Sequence, residues 1–306
     1  MIIDREDQVT EAVLGETRRI EDARTKELIT ALIRHLHAFA REVRLTEHEF
    51  DKAINLVSQL GQLTNPSHNE TRLIAGSLGL STLVCLMNNA GTTANLLGPF
   101  WRKGAPDVEN GGSIIRSPTP GVPLFFTGHV RDTDGKPIIG AGVDVWHAST
   151  QGLYENQDPG QAQWNLRGHL RTDETGTFRY RTIKPAGYPI PAGGPTEQLL
   201  KVQHRHPYRP AHLHALIYKE GFKTIPSQIY ADDDEILKTD TQFGVITNCI
   251  GHYVLHENEV APDPDVKGPW YSMEYQFVLK PGESRLPPAP VSAKSAVAAA
   301  SMGEHQ

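Results

Sequence analysis

Apolar side chains recur at helical spacing along the first hundred residues. Between Thr25 and Arg44 they form one stripe with a period of about 3.6 residues, at Ile29, Leu32, Ile33, Leu36, Phe39 and Val43. Thr46, with Glu49 three residues later, is a capping box that begins a second helix, and Gly61 is expected to end it. A further helix is indicated near residues 6–20.

A second capping signal, Ser67 with Glu70, precedes an apolar run from Leu73 to Met87. Gly and Ser interrupt this run, so we interpret it as a buried helix and not as a membrane span. We therefore predict an N-terminal helical domain over residues 1–100.

The pattern changes after Gly91, where Pro and Gly become frequent and short alternating apolar runs replace the helical stripe. Turn signals at Asp134-Gly135 and at 172–176 predict two hairpins. Further strands are predicted over 212–218, 227–230 and 272–279. Together these patterns indicate an α+β protein, in which an antiparallel β-sandwich catalytic domain over 101–284 follows the helices. The tail over 285–306, rich in Pro, Ala and Ser, is expected to be extended or disordered.

Composition and charge exclude several classes of function. The net charge of -6 argues against a nucleic-acid surface, which needs clustered basic residues. No segment has the length and hydrophobicity of a membrane span, and the N-terminus lacks the features of a secretory signal. The chain has only two cysteines, Cys85 and Cys249, which excludes a disulfide framework and favours a reducing cytoplasm.

The candidate metal ligands begin with the segment Arg209-Pro-Ala-His212-Leu-His214. Side chains two apart on a strand share a face, so both histidines can reach one ion. Zinc would need a third His, a carboxylate or a Cys, and non-haem Fe(II) would need one carboxylate. A His-x-His pair without such support is more often structural.

Two tyrosines flank this strand in restricted backbone. Tyr154 follows a predicted strand by a short Gly-containing loop, and Tyr188 lies among Pro185, Pro189 and Pro191. A phenol ionises near pH 10 (a pKa of about 10), but a bound trivalent cation can deprotonate it. Two phenolates would favour Fe(III) over Fe(II). Either tyrosine taken alone is better explained as a core residue with a hydrogen-bonded hydroxyl.

Taken together, these segments resemble the intradiol ring-cleavage dioxygenases over most of the chain, from the helices to about residue 280. The resemblance rests on six motifs in the family order: Leu97-Gly-Pro-Phe100, Val143-Asp-Val-Trp-His147-Ala, Gly152-Leu-Tyr154, Asn165-Leu-Arg-Gly168, Lys184-Pro-Ala-Gly-Tyr188-Pro and Arg209-Pro-Ala-His212-Leu-His214. It implies one Fe3+ per subunit, held by Tyr154, Tyr188, His212 and His214.

The resemblance also implies roles in ring cleavage by O2. Tyr188 would be the ligand that leaves when the diol binds and that takes up a substrate proton. Arg209 would stabilise negative charge on the reacting ring, and Gln228 would orient a ligand or the substrate. Leu96 and Pro99 would form an apolar wall of the substrate pocket.

Within the family the chain looks most like the hydroxyquinol-cleaving enzymes, whose product is maleylacetate or 3-hydroxy-cis,cis-muconate. The segments 152–159, 187–191 and 239–245 carry this likeness, whereas 92–95 and 248–253 depart from it. Catechol or a substituted catechol, cleaved to a cis,cis-muconate, is the alternative substrate. The resemblance further implies a homodimer joined through the N-terminal helices, with a phospholipid at the interface.

Two other classes of function remain open to this sequence. One is a zinc hydrolase that uses His212 and His214 with an Asp or Glu. The other is a non-catalytic β-sandwich binding module in which the tyrosines and histidines only pack.

Overall fold

The computed structural model describes residues 2–294, which divide into two compact units between Ser58 and Gln59. The predicted tail beyond residue 294 therefore lies outside the described residues. The helices are α1 (Glu6–Glu16), α2 (Ala23–Glu42), α3 (Glu47–Leu63), α4 (Glu70–Ser77), α5 (Leu80–Asn88) and α6 (Pro195–Val202).

The first three predicted helices are confirmed. The capping box forms as expected, because Glu49 N donates to Thr46 Oγ1 at 3.3 Å and Thr46 N donates to Glu49 Oε2 at 2.9 Å. Gly61 does not end the helix that begins at this capping box, since α3 continues to Leu63.

The prediction of one buried helix over 73–87 is wrong. Gly79 adopts a left-handed φ of 73° and separates α4 from α5, which meet at 77°. None of the side chains of α5 is buried. The expected Ser67 cap is also wrong, because Asn69 Oδ1 accepts the helical Arg72 N–H at 2.9 Å. No single helix within residues 2–294 can span a membrane; the bent α4–α5 pair meets that test by length and composition only.

The strands form two large sheets and one short ladder. In chain order they are β1 (Pro123–Asp132), β2 (Gly142–Trp146), β3 (Arg167–Arg171), β4 (Thr177–Ile183), β5 (Tyr188–Pro189), β6 (Tyr208–Arg209), β7 (His212–Tyr218), β8 (Ile225–Ala231), β9 (Ile250–Gly251), β10 (Val254–His256) and β11 (Trp270–Leu279).

One sheet has the order β10-β11-β1-β4 and the other β3-β2-β7-β8-β9, while β5 pairs with β6. Buried side chains from both large sheets form one continuous core, which confirms the α+β class and the sandwich. The sheets are mixed and not purely antiparallel, because β1 runs parallel to β11 and β8 runs parallel to β9.

A short antiparallel bridge, Arg131 to Pro137, forms at the first predicted hairpin, but neither hairpin pairs the long strands that flank its turn, because both connections cross between the sheets. The turn at Asp134-Gly135 forms, with Gly135 N donating to Asp132 O at 3.0 Å. Strand β1 nevertheless pairs with β11 and β4, whereas β2 pairs with β3 and β7. The turn over 172–176 likewise leads from β3 in one sheet to β4 in the other.

Candidate active site and metal centre

Strand β7 carries both candidate histidines on one buried face. Leu213, Ala215 and Ile217 pack into the core between the sheets, so His212 and His214 point to the opposite side. Both imidazoles are almost completely buried. Their Nε2 atoms lie 3.2 Å apart, as expected for two ligands of one ion.

The two tyrosines reach the same point from segments outside the large sheets. Tyr154 lies in the loop between β2 and β3, where its ring stacks on Phe100 with centroids 4.4 Å apart. Tyr188 is the first residue of β5, and its partner across the short ladder is Arg209 of β6. The ladder therefore fixes Tyr188 and Arg209 side by side.

Four donor atoms close a ring around one point. Tyr154 Oη lies 2.8 Å from Tyr188 Oη and 3.0 Å from His214 Nε2. Tyr188 Oη lies 3.4 Å from His212 Nε2. Ligands bound at about 2.0–2.2 Å to one metal ion are roughly 3 Å from each other. The four side chains therefore fit a single metal ion.

Hydrogen bonding and burial leave the histidines in the state that binds metals. His212 Nδ1 contacts Pro210 O at 2.7 Å, and because a carbonyl only accepts, Nδ1 carries the proton and Nε2 keeps its lone pair. Burial, aided by the charge of Arg209, lowers the pKa of His212 to about 3. Burial also holds the pKa of His214 well below its ordinary value, so both rings are neutral.

The tyrosines need a cation before they can ionise here. Burial raises the pKa of Tyr154 well above its ordinary value, and its neighbour Tyr188 raises it further. Burial raises the pKa of Tyr188 as well, against the opposing charge of Arg209. A strongly charged metal ion is the kind of group that can deprotonate such buried phenols.

The zinc alternative lacks its remaining ligand. Within residues 2–294, no group of three His, Cys, Asp or Glu side chains is arranged to hold a metal ion. The histidine pair is instead completed by phenol oxygens, which are hard donors of the kind that suits iron more than zinc.

Arg209 is buried beside the four donors and is not a surface residue. Its Nε and Nη2 atoms donate to Asp240 Oδ1 and Oδ2, both at 3.1 Å. Nη2 also donates to Tyr230 Oη at 2.8 Å and to Gln228 Oε1 at 2.9 Å. Asp240 and its hydrogen bonds hold the pKa of Arg209 above the ordinary range, so the guanidinium stays charged.

Gln228 links this arginine to the helical side of the site. It faces His214 across the β7–β8 ladder, and its Nε2 donates to Leu96 O at 2.8 Å. The segment 96–99 approaches closely, because a Cβ on Gly98 would lie 2.9 Å from His214 Cε1. Leu96 and Pro99, the two residues expected from the sequence to line a substrate pocket, flank this point of close approach.

A cavity of about 510 Å³ opens beside these residues. Leu96, Pro99, Arg209 and Gln228 all line it. Of the four candidate ligands, Tyr188 is the one that lines the cavity, whereas Tyr154 and the two histidines lie behind it. A molecule in the cavity would meet Tyr188 first.

Two family profiles match consecutive parts of the chain: "Catechol dioxygenase N terminus" over residues 22–95 and "Dioxygenase" over residues 96–281. The chain is 37% identical over 277 residues to 6-chlorohydroxyquinol 1,2-dioxygenase of Cupriavidus pinatubonensis, covering 89% of this chain and 96% of that one. It belongs to the intradiol ring-cleaving dioxygenases.

Two further likenesses agree with this membership. The dioxygenase is 37% identical over 281 residues to hydroxyquinol 1,2-dioxygenase of a Rhizobium species, covering 90% of this chain and 95% of that one. The solved structure of hydroxyquinol 1,2-dioxygenase from Pseudomonas putida DLL-E4 matches with a TM-score of 0.80 and 33% identity, over 90% of this chain and 99% of that chain. The chain is therefore an oxidoreductase, and membership implies a non-haem iron.

Sequence reasoning missed the residues that support the site from behind. Asp240 is one, although a buried arginine is costly without an opposite charge beside it. Trp146 is another: its ring stacks on His214 with centroids 4.6 Å apart and planes 10° from parallel. No spacing in the sequence connects either residue to its partner.

A buried ionic cluster lies behind the dioxygenase's Tyr154. Glu155 pairs with Arg102, and its Oε1 lies 3.2 Å from Arg167 Nε. Arg167 also donates to Phe100 O at 2.7 Å and to Asn156 Oδ1 at 2.8 Å. The guanidinium of Arg167 lies 5.8 Å from the centre of the Tyr154 ring. The cluster thus holds in place Phe100, which stacks on the Tyr154 ring, and Arg167, which lies beside that ring.

We expect Glu155→Gln to lower the free energy of unfolding by about 3–5 kcal/mol, because it leaves two buried arginines without a carboxylate. Glu197→Gln on α6 is the matched control, since its pair with Lys201 at 2.8 Å lies at the surface, where 71% of the Lys201 side chain and 25% of the Glu197 side chain are exposed, and such a pair contributes at most about 1 kcal/mol. Denaturant unfolding measures both variants. Equal losses would show that the buried cluster does not stabilise the fold.

Proposed function

We propose that the chain is a ferric intradiol dioxygenase, with one Fe3+ per subunit held by Tyr154, Tyr188, His212 and His214. The observation that carries this proposal is the ring of four donor atoms, with contacts of 2.8, 3.0, 3.2 and 3.4 Å. Two anionic phenolates balance most of the charge of a ferric ion, which favours Fe3+ over Fe2+ and Zn2+.

Bound ferric iron would draw electron density from the diolate and so make the ring reactive toward O2. Tyr154 is the fixed phenol in this proposal, because Phe100 and Arg167 pack against it. Tyr188 is the exchangeable one, because it lines the cavity from a two-residue strand. Tyr188 would hold the metal until the diol binds, and its oxygen would then accept a proton from that diol.

Arg209 supplies a fixed positive charge at the cavity wall. Asp240 and Gln228 hold the guanidinium, so it is oriented before the substrate arrives. Such preorganised donors stabilise charge that develops during the reaction. We assign Arg209 to the negatively charged reacting ring, and Gln228 to the orientation of Arg209.

The proposed substrate is hydroxyquinol, cleaved with both atoms of O2 to 3-hydroxy-cis,cis-muconate or its tautomer maleylacetate. The names of the hydroxyquinol-cleaving relatives support this choice. Leu96 and Pro99 form an apolar wall for the ring. Catechol or a substituted catechol, giving a cis,cis-muconate, is the alternative.

The N-terminal helical domain, taken as residues 1–100 before the catalytic domain 101–284, is proposed to join two subunits. Helix α2 supports this by its exposed apolar side chains, which are Leu28, Leu32, Leu36 and Phe39, and the exposed Val43 follows directly after it. A phospholipid at that interface belongs to the same proposal, and sedimentation equilibrium with lipid extraction tests both. The two free cysteines, Cys85 and Cys249, support a cytoplasmic location.

Oxygen uptake by the iron-loaded protein tests the activity. We expect one O2 consumed per ring cleaved, and a higher kcat/KM with hydroxyquinol than with catechol. A preference for catechol would support the alternative substrate. No uptake with any diol, or a colourless protein that binds zinc alone, would overturn the dioxygenase proposal.

Tyr188→Phe is expected to lower turnover by at least about 100-fold, because it removes a proton acceptor, while part of the iron stays bound. His214→Ala is expected to lose the iron, because it removes a fixed ligand. Metal analysis and the visible tyrosinate-to-iron absorption measure both effects. The control is Tyr180→Phe, a buried tyrosine of β4 in the sandwich core. Full activity in either site variant would refute the ligand assignment.

Arg209→Ala is expected to lower kcat by about 10²–10³, as for other removed charge-stabilising donors, with a smaller change in KM. Steady-state oxygen uptake separates the two parameters. Arg171→Ala, which removes an exposed arginine at the end of β3, is the control. An unchanged kcat in the Arg209 variant would disprove its proposed role.

A further inference from the structure

The cavity beside Tyr188 is larger than a bare diol ring requires. Its volume of about 510 Å³ lies in the range of roughly 300–1,000 Å³ that holds drug-sized ligands. One end is formed by Tyr188, Arg209 and Gln228, and the wall continues to Arg72 and neighbouring residues of α4. The extra space can hold a ring substituent.

The charge of this cavity is one-sided. Three arginines line it, namely Arg72, Arg209 and Arg285, and none of its described lining residues is an Asp or Glu. Asp240 neutralises Arg209 from behind. Among residues 2–294, the side chains of Arg72 and Arg285 have neither an ion pair within 4.0 Å nor a hydrogen bond. Among these described residues, the positive charges of Arg72 and Arg285 are therefore unpaired at the cavity wall.

A helix cap and core packing hold Arg72 at this wall. The preceding cap fixes its backbone, and the adjacent Leu73 packs with Ile190, which follows Tyr188 by two residues. Arg72 is half-buried, and burial lowers the pKa of its guanidinium. A partly desolvated guanidinium is a strong partner for a carboxylate, because its planar donors match the two oxygens.

We propose that Arg72, with the exposed Arg285 at the rim, forms a subsite for an anionic group carried on the diol ring, such as a carboxylate. The subsite rests on the proposed dioxygenase function and adds rings that bear a negative substituent to its substrates. The third hydroxyl of hydroxyquinol is neutral and would not use the charge of Arg72.

The test compares each carboxylate with its neutral, nearly isosteric amide. The probes are 3,4-dihydroxybenzoate and 3,4-dihydroxyphenylacetate with the corresponding amides, together with catechol and hydroxyquinol. Dissociation constants are measured without O2, from the change in visible absorption of the iron-loaded protein. Oxygen uptake then yields kcat and KM for each probe.

We expect at least one carboxylate to bind about tenfold more tightly than its amide, as for one charge-assisted hydrogen-bonded pair. Arg72→Met should remove this preference, chiefly through KM, and leave kcat/KM for catechol within about twofold. Arg72→Lys should retain part of the preference, since the charge remains. Arg171→Met, an exposed arginine outside the cavity, should change nothing.

Two outcomes would overturn the subsite. One is that neither carboxylate binds more tightly than its amide in the unmodified protein. The other is that Arg72→Met weakens catechol as much as the carboxylates, which would place Arg72 in the common reaction. In either case, turnover of catechol or hydroxyquinol in the same experiments would still support the dioxygenase proposal. Failure of every diol would instead overturn that proposal itself.

Discussion

The period-two alternation of strand β7 is the constraint on which the site depends. Leu213, Ala215 and Ile217 are buried between the sheets, so the strand cannot rotate or slip without exposing them. The same alternation sends His212 and His214 to the other face, where the tyrosines converge. The hydrophobic core and the candidate metal centre are thus two faces of one strand, and whatever stabilises the core also positions the histidines.

Each buried arginine around the four donors contacts a carboxylate. On one side Asp240 pairs with Arg209, and on the other Arg102 and Arg167 share the single carboxylate of Glu155. Each arginine is expensive to bury alone, so its carboxylate and hydrogen bonds hold it in one orientation. The result is a polar centre in the protein interior, whose charged groups are already oriented by their partners. Such preorganisation is what catalysis of a charged reaction requires.

Rigid and adaptable parts of the site come from different elements. The histidines lie on a central strand, whereas Tyr188 and the cavity wall come from a two-residue strand, the segment 96–99 and helix α4. The reaction can therefore stay the same across the family, while different residues in the cavity wall select different ring substrates. The charge of Arg72, unpaired within the described residues, lies on that wall. Its proposed role is therefore in the selection of the substrate and not in binding the metal.

The sequence by itself determined the helices of the first unit, strand β7 and the four candidate ligands, because local periodicity and contiguous motifs encode them. It did not determine the break at Gly79, since an apolar run looks the same whether it forms one helix or two. The parallel β1–β11 pairing and the separation of β1 from β2 also arose only in three dimensions. Asp240 and Glu155 could not be assigned for the same reason: their partners are distant in sequence or lack any periodic relation to them. Contacts of this kind depend on how the sheets and loops pack, which only the tertiary structure decides.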